Sequence, residues 1–316
     1  MSDRTRQREI FERQALYCDG RSPLYAGICR RLADDPRVGG LAPDLGWDLP
    51  LRLLGGLHYL VLRGDAWWDD LDGALVAHAS FLGRWCVEQD VQTNEVQRSW
   101  ALLPAFLSLA DGRPFDLLEL GPSAGLNLLW DRYRYRYASG TWGSGSLELA
   151  GEDRVSPPAA LFTRSVEVVR RRGVDLSPVD VTTEHGALVL QSFVWADQTA
   201  RLERLRRAIE TVRQDPPELV GGDYVEALPA LLRERADDAL LLVFQTASTM
   251  YLDRGQNERL HAALRDGGRT APFVYVTTGR APRDDGYALE VHRYPDGSSE
   301  RLAVFDFHGE WLDWGR

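Results

Sequence analysis

The sequence predicts an α/β protein in which a helical N-terminal block precedes a mostly parallel sheet with a terminal antiparallel hairpin. Apolar residues recur at helical spacing between residues 5 and 110. After residue 114, short apolar runs alternate with helical patterns, as expected for a sheet covered by helices on both faces. We therefore expect a helical N-terminal cap at 1–112 and a Rossmann-like domain at 113–316.

The composition indicates a folded globular protein and disfavours a nucleic-acid partner. Of the 316 residues, 44% are apolar and 27% are charged, which suffices for a full core. The net charge of -10 repels a phosphate backbone, so we expect no nucleic-acid partner. The composition does not determine the oligomeric state.

Several chemistries and locations are excluded by residue types. All 37 basic residues are arginine, so neither a lysine Schiff base nor the lysine of a phosphate-binding loop is available. The three cysteines form no C-x-x-C pair and no two of the six histidines lie four residues apart, so we expect no metal site. Residues 1–14 do not resemble a signal peptide, and no apolar run can cross a bilayer. We expect a cytoplasmic protein with no membrane partner.

Helices are predicted for the N-terminal block. Ser22-Pro23 starts one of them, with a capping hydroxyl before a proline in the first turn. Gly55-Gly56 interrupts an apolar segment, which indicates a weak helix or the close approach of a backbone or ligand. The predicted helices are 5–18, one from residue 23, 51–62, 71–87 and 95–110.

The second part of the chain is predicted to alternate strands with helices. Residues 140–158 are rich in Gly, Ser and Pro and indicate a loop, and Arg170 to Arg172 favour a solvated charge run. A turn at 295–297 predicts a hairpin of 287–294 with 301–307. The other predicted strands are 115–120, 133–137, 240–245 and 273–277, and the predicted helices are 124–130, 198–212, 225–235 and 253–266.

The segment after the first predicted strand carries the most specific signal. Glu119 to Asn127 read ELGPSAGLN between a strand and a predicted helix. Gly121 permits a sharp turn, and Gly125 leaves room for a ligand against the helix start. Open α/β sheets bind ligands at this edge, beyond the carboxyl ends of their strands. The alternative is a tight turn that binds nothing.

The spacing E-x-G-x-x-x-G resembles the first motif of class I S-adenosylmethionine methyltransferases, and the likeness covers 115–307. The predicted hairpin adds to it, since a reversed final strand is typical of that fold. The resemblance implies S-adenosylmethionine as the cofactor, with Asp223 meeting the adenine amine. The residues implied to bind the cofactor are Glu119, Gly121, Ser123, Ala124, Gly125, Asn127 and Asp223.

The whole chain also resembles an uncharacterised bacterial family, domain of unknown function 2332. The segments that carry this resemblance are QTNE at 92–95, ELGPSAGLN at 119–127 with WDRY at 130–133, GVDLSP at 173–178, and SFVWADQ at 192–198 with Arg201. This resemblance implies no activity.

Further polar segments supply candidate catalytic and substrate-binding residues. In 92–95, either Thr93 or Asn94 caps the next helix, or the segment faces the cleft and orients the substrate. In 195–198, either Asp197 is a helix cap, or the segment stacks on and contacts a ligand. We predict catalytic roles for Asn94, Glu95 and Asp197, with Glu95 or Asp197 as proton acceptor, and substrate contacts from Gln92, Arg98, Trp195, Gln198 and Gln245.

These observations predict a methyltransferase that acts on a small molecule. Attack on a sulfonium methyl group needs in-line placement and desolvation more than a strong base. The alternative is a protein that kept the fold for ligand binding, partner binding or unrelated chemistry. It is favoured because no carboxylate follows the strand predicted at 133–137, where the resemblance implies a ribose ligand. A third hypothesis is a structural subunit, which would expose a large apolar patch on the helical block.

Overall fold

The computed structural model describes residues 3–41, 46–92, 94–281 and 286–315, which form an α/β protein with a helical N-terminal block, as predicted. The helices are α1 (Asp3–Cys18), α2 (Pro23–Leu32), α3 (Leu49–Arg63), α4 (Leu71–Ala77), α5 (Ala79–Glu88), α6 (Arg98–Leu109), α7 (Glu184–Ser192), α8 (Thr199–Gln214), α9 (Tyr224–Leu231) and α10 (Arg254–Thr270). The strands are β1 (Phe115–Leu120), β2 (Arg134–Tyr137), β3 (Gly140–Trp142), β4 (Glu148–Ala150), β5 (Glu152–Val155), β6 (Val168–Asp175), β7 (Glu218–Gly221), β8 (Leu240–Phe244), β9 (Phe273–Arg280), β10 (Tyr287–Tyr294), β11 (Ser299–Phe305) and β12 (Trp311–Trp314).

The large sheet is Rossmann-like. Its nine strands have the order β5-β12-β11-β10-β9-β8-β1-β6-β7, and the five strands from β7 to β9 are parallel. In chain order these five read 3-2-1-4-5, the doubly wound arrangement, so the order reverses between β1 and β8. β10 pairs antiparallel with β9 and β11, which confirms the predicted terminal hairpin.

The second strand of this sheet is not the one predicted from sequence. β2 pairs with β3 and β4 in a separate three-stranded sheet. The neighbour of β1 is β6, which contains the three arginines predicted as a solvated run. That prediction was wrong, because Asp116 of β1 is fully buried and accepts a hydrogen bond from Arg170 Nε at 3.0 Å. Arg172 is also buried, 3.5 Å from the Asp116 carboxylate, and this pairing lets arginines occupy an inner strand.

Several local predictions differ in detail. The helix expected at 124–130 is a 3-10 helix, Leu126–Arg132, that starts after Gly125 in the left-handed region (φ 74°). The helix expected at 71–87 is divided into α4 and α5 at His78. The glycine pair of α3 permits close packing of side chains, because a Cβ added at Gly56 would lie 2.9 Å from Cδ1 of Trp85.

The chain divides into two compact units. Unit 1 comprises Met1–Thr93 and Val179–Arg206, and unit 2 comprises Asn94–Pro178 and Arg207–Arg316. This division differs from the expected boundary at 112, because α6 belongs to unit 2 and α7 to unit 1. In unit 2, the apolar side chains of α9 and α10 pack on one face of β1 and β8. Among the described helices, none combines the length and apolarity that crossing a bilayer requires.

Candidate functional site

The candidate site lies in unit 2, where the strand order reverses between β1 and β8. The crevice beyond the carboxyl ends of such strands is where open α/β sheets bind ligands. Two residues other than glycine adopt left-handed backbone conformations there, Ser123 after β1 (φ 52°) and Ala247 after β8 (φ 70°). Such conformations cost about 1–3 kcal/mol each and cluster at functional sites. Both loops are therefore candidates for a functional role.

Asp175, which sequence reasoning missed, binds the glycine loop to the end of β6. The amide of Gly121 donates to Val174 O at 2.9 Å, and the amide of Ser123 donates to Asp175 Oδ2 at 2.7 Å. Asp175 Oδ1 accepts from the amide of Ser177 at 2.9 Å. A carboxylate therefore does end the strand beside β1. Because of its three arginines, this segment was not predicted as a strand. Its last residues, Gly173-Val174-Asp175, nevertheless have the apolar-to-acidic pattern of a strand end.

Glu119, at the carboxyl end of β1, is the central buried carboxyl group. Its side chain is 1% exposed, and among the described residues Oε2 has no hydrogen-bond partner. Burial and the charge of Asp175 raise the pKa of Glu119 well above its usual range, and Arg98 and a hydrogen bond with Asn127 oppose this shift. Glu119 thus holds a proton more tightly than a free glutamate, unless a cation approaches Oε2.

Asn127 is positioned by Ser99, a residue of α6 that sequence reasoning also missed. Ser99 Oγ donates to Asn127 Oδ1 at 2.7 Å, and both side chains are buried. With its carbonyl oxygen occupied, Asn127 keeps its amide group for Glu119. A serine inside an apolar helix carries no sequence signal of such a role.

Asn94 contacts the glycine loop from the segment before α6. Its Nδ2 donates to Pro122 O at 3.1 Å, and its buried Oδ1 has no hydrogen-bond partner among the described residues. The predicted cleft-facing segment therefore reaches the loop through Asn94. Gln92 is buried in unit 1, and Thr93 lies outside the described residues.

Arg98 connects two loops of unit 2. Its Nε donates to Phe307 O at 2.8 Å, its Nη1 donates to Thr246 O at 3.3 Å, and the guanidinium lies 4.2 Å from the centroid of the Phe307 ring. Arg98 thereby supports the loop after β8 and places a positive charge near the central carboxyl group. Glu95 Oε1 accepts from the amide of Gln97 at 3.1 Å in the turn that leads into α6.

Gln245 and Asp223 have structural contacts in the same unit. Gln245 is fully buried after β8, and its Nε2 donates to Thr277 Oγ1 at 2.6 Å and to Thr278 O at 2.8 Å. Its Oε1 has no partner among the described residues. Asp223 caps α9 by accepting from the amide of Val225 at 2.7 Å. The cap leaves the second carboxylate oxygen of Asp223 as an acceptor.

The space beside the glycines of the loop is filled by the protein itself. A Cβ added at Gly125 would lie 2.6 Å from Cγ of Pro217, and one at Gly121 would lie 2.5 Å from Cβ of Ser248. Ala124 between them is 1% exposed. The room for a ligand expected at Gly125 is therefore occupied by Pro217, which the sequence pattern did not indicate.

The remaining predicted residues belong to unit 1 and make contacts within it. Asp197 accepts from Ser22 Oγ at 2.7 Å and so completes the cap of α2. Trp195 packs near Tyr25, with ring centroids 6.1 Å apart. Gln198 Oε1 accepts from Arg201 Nη1 at 2.7 Å. Asp197 therefore supports the start of α2, whereas the helix-cap alternative concerned the helix that follows Asp197 in the chain.

The parallel strands and their glycine loop define a Rossmann-like α/β protein. The chain belongs to a family described as an uncharacterized protein conserved in bacteria (DUF2332), whose profile matches residues 8–314. Comparison with curated proteins and with solved structures gave no match.

Proposed function

We propose that this protein is an S-adenosylmethionine-dependent methyltransferase that acts on a small molecule in the cytoplasm. The observation that carries the proposal is the Glu119 carboxyl group, buried at the carboxyl end of β1 with Oε2 unpaired among the described residues. A buried carboxylate is costly unless a cation or hydrogen-bond donors compensate it. The ammonium group of the cofactor's amino-acid part would supply both.

The fit to the cofactor differs between the two ends of the loop. Glu119 Oε2 and Asn94 Oδ1 are buried acceptors, which suit a ligand that carries amine and hydroxyl donors. Gly125 offers no free space, because Pro217 occupies it. The residues therefore fit the amino-acid end of S-adenosylmethionine through Glu119 and Asn94.

The polar residues would bind and orient, and the cofactor would supply an electrophilic methyl group when bound. Glu119 would hold the ammonium group, and Ser99 and Asn127 would fix the position of the carboxylate. The burial of Glu119 excludes water, which strengthens its attraction for a cation. Glu95, in the same unit, remains the predicted proton acceptor for substrates that require one.

Calorimetric titration with S-adenosylmethionine and S-adenosylhomocysteine tests this proposal. We expect wild type to bind both, and Glu119→Gln to weaken binding at least about thirtyfold, because it leaves a buried ammonium group without its counter-charge. Glu218→Gln, which removes an exposed carboxylate from β7, is the matched control and should bind as wild type does. Gly125→Leu is unsuitable, because the left-handed backbone and the contact with Pro217 would strain the fold itself.

A second candidate function is a ligand-binding protein that retains the fold without methyl transfer. The filling of the glycine loop by Pro217 and Ser248 favours it. If folded wild-type protein bound neither methyl donor nor product, the first proposal would be refuted. Binding of adenosine to that same protein, measured by thermal shift and lost in Glu119→Gln, would then support the second candidate.

A further inference from the structure

Three arginines of unit 2 gather at the amino end of the parallel sheet, at the edge opposite to the candidate site. Arg170 and Arg172 belong to β6, and Arg235 lies between α9 and β8. The fully buried carboxylate of Asp116 in β1 attracts all three. Arg170 donates to it through Nε at 3.0 Å and Nη2 at 2.5 Å, and Arg172 Nη2 lies 3.5 Å from its Oδ1. One buried carboxylate thus faces three guanidinium groups, which we call the arginine cluster.

The backbone after α9 fixes the geometry of the arginine cluster. Glu234 O accepts from Nη2 of both Arg170 and Arg172, at 2.8 Å in each case. The amide of Ala236 donates to Asp116 Oδ2 at 2.9 Å. Two like charges are therefore kept close together by partners that they share.

The hydrogen-bonding capacity of the cluster is only partly used. Among the described residues, Nε and Nη1 of Arg172 and Nη2 of Arg235 are buried donors without a hydrogen-bond partner. Arg172 as a whole is 4% exposed. Arg235 uses its other nitrogens, since Nε donates to Leu232 O at 2.8 Å and Nη1 donates to Pro272 O at 2.6 Å. Buried polar groups are normally paired, so three such donors in one cluster indicate an acceptor that the protein does not supply.

The electrostatics of the cluster also favour an additional anion. Burial lowers the pKa of Arg172, and the positive charge of Arg170 lowers it as well, whereas Asp116 opposes the shift. Burial likewise lowers the pKa of Arg235 against the attraction of Asp116. An oxyanion would compensate both the charge and the unused donors, because guanidinium groups match the oxygen geometry of phosphate.

The Glu234 side chain occupies the approach to Arg172 only weakly. It is 67% exposed, and its Oε2 lies 3.6 Å from Nη1 of Arg172, beyond hydrogen-bonding distance. Glu218, which also attracts Arg172, is exposed as well. Water screens exposed carboxylates, so such pairs contribute little stability. The Glu234 carboxylate is therefore a partner that another anion can replace.

We propose that the arginine cluster is a binding site for a small, free oxyanion of the phosphate or sulfate type. The anion takes the place of the Glu234 carboxylate at Nη1 of Arg172, and Arg235 provides a further buried donor through Nη2. Because these donors are buried, a free ion fits better than a phosphate ester with a large substituent. The site is separate from the crevice around Glu119 and does not depend on the function proposed for it.

Calorimetric titration of the full-length protein with inorganic phosphate, at an ionic strength held constant with sodium chloride, tests the site. We expect a dissociation constant of about 1 mM or tighter, because charge-assisted hydrogen bonds are among the strongest in proteins. Sulfate should compete with phosphate, and glycerol 3-phosphate should bind at least about tenfold more weakly than phosphate. Glu119→Gln should bind phosphate as wild type does, which keeps this test independent of the methyl-donor titration.

Three further substitutions separate an anion site from a purely structural network. Glu234→Gln should strengthen phosphate binding at least about threefold, because it removes the competing charge and keeps the backbone carbonyl group. Arg235→Gln should weaken binding at least about tenfold, because a positive charge and a buried donor are lost. Arg254→Gln removes an arginine of α10 whose side chain is 92% exposed, and this matched control should bind as wild type does.

The decisive result comes from the wild-type chain, so it holds even if a variant fails to fold by circular dichroism. No binding of phosphate by folded wild type up to about 10 mM would overturn the proposal. Weaker binding by folded Glu234→Gln would also overturn it, because the side chain would then support the anion instead of competing with it. Equal binding by wild type and folded Arg235→Gln would place the phosphate elsewhere, and equal binding of glycerol 3-phosphate would rule out a site restricted to free ions.

Discussion

At the scale of single residues, the buried polar groups of the candidate site differ in whether the protein supplies a hydrogen-bond partner. Ser99 and Asn127 are paired, whereas Glu119 Oε2 and Asn94 Oδ1 have no partner among the described residues. Most buried polar groups in folded proteins are paired, so unpaired acceptors at the ligand edge of a sheet require a reason. The proposed ligand, with its donor groups, would supply that reason, and the Glu119→Gln titration tests it.

His58 provides a prediction at the scale of one residue. It is 2% exposed in α3, with Nδ1 3.2 Å from Ser192 O, and burial lowers its pKa to about 4 from an ordinary value of about 6.5. Between these values the unfolded chain binds the extra proton, so stability falls as the pH falls from about 6.5 to about 4. The contribution of this one group is about 3 kcal/mol.

Urea denaturation of wild type and His58→Asn across that pH range measures this contribution. The variant should lose less stability on acidification than wild type does. The same substitution at exposed His261 should leave the wild-type pH dependence in place. Equal slopes for wild type and His58→Asn would show that His58 is not the titrating group.

At the scale of elements, the glycines permit close packing against side chains from other parts of the chain. The sequence indicated that the glycine pair of α3 either weakens the helix or permits close approach of a backbone or ligand, and the structure shows aromatic side chains in that space. Similarly, the glycine motif predicted a turn after β1, and the turn is present. The neighbour of each glycine came from a distant part of the chain, which no local pattern reports.

Two alanine substitutions in unit 1 test this explanation. Gly56→Ala should destabilise the protein by about 1–3 kcal/mol, because the new Cβ would lie 2.9 Å from Trp85 Cδ1 and 3.1 Å from Leu82 Cδ2. Gly27→Ala in α2 meets no atom within 4 Å and should stabilise it by about 0.5–1 kcal/mol. Chemical denaturation measures both changes, and a stabilising Gly56→Ala would contradict the packing argument.

At the scale of the whole molecule, unit 1 is discontinuous in sequence. Residues 179–206 return to it and supply partners for the N-terminal helices. Phe193 packs at Gly55, His185 Nδ1 lies 2.8 Å from Tyr59 OH, and Asp197 accepts from Ser22. Unit 1 therefore depends on a segment that lies after β6 in the chain.

This architecture predicts that a fragment cut at the expected boundary, 1–112, does not fold cooperatively. It lacks residues 179–206, whose loss exposes apolar side chains of α3 and α5. A fusion of 1–93 to 179–206 through a Gly/Ser linker should regain a cooperative thermal transition by circular dichroism. A sharp transition for 1–112 alone, equal to that of the fusion, would contradict the division into units.

Local patterns in the sequence sufficed to predict the class of fold and the position of its principal loop. Helical periodicity predicted most of the helical block, and turn residues with apolar runs predicted β1, β8 and the β10–β11 hairpin, because these signals are local. Only the tertiary contacts establish which strand lies beside β1. Arg170 and Arg172 pair with the buried Asp116, so an inner strand can contain three consecutive arginines that resemble an exposed segment in the sequence. The tertiary structure also decided that Asp175 binds the glycine loop and that Pro217 fills the space at Gly125, because strand order and side-chain contacts join residues that are distant in the chain.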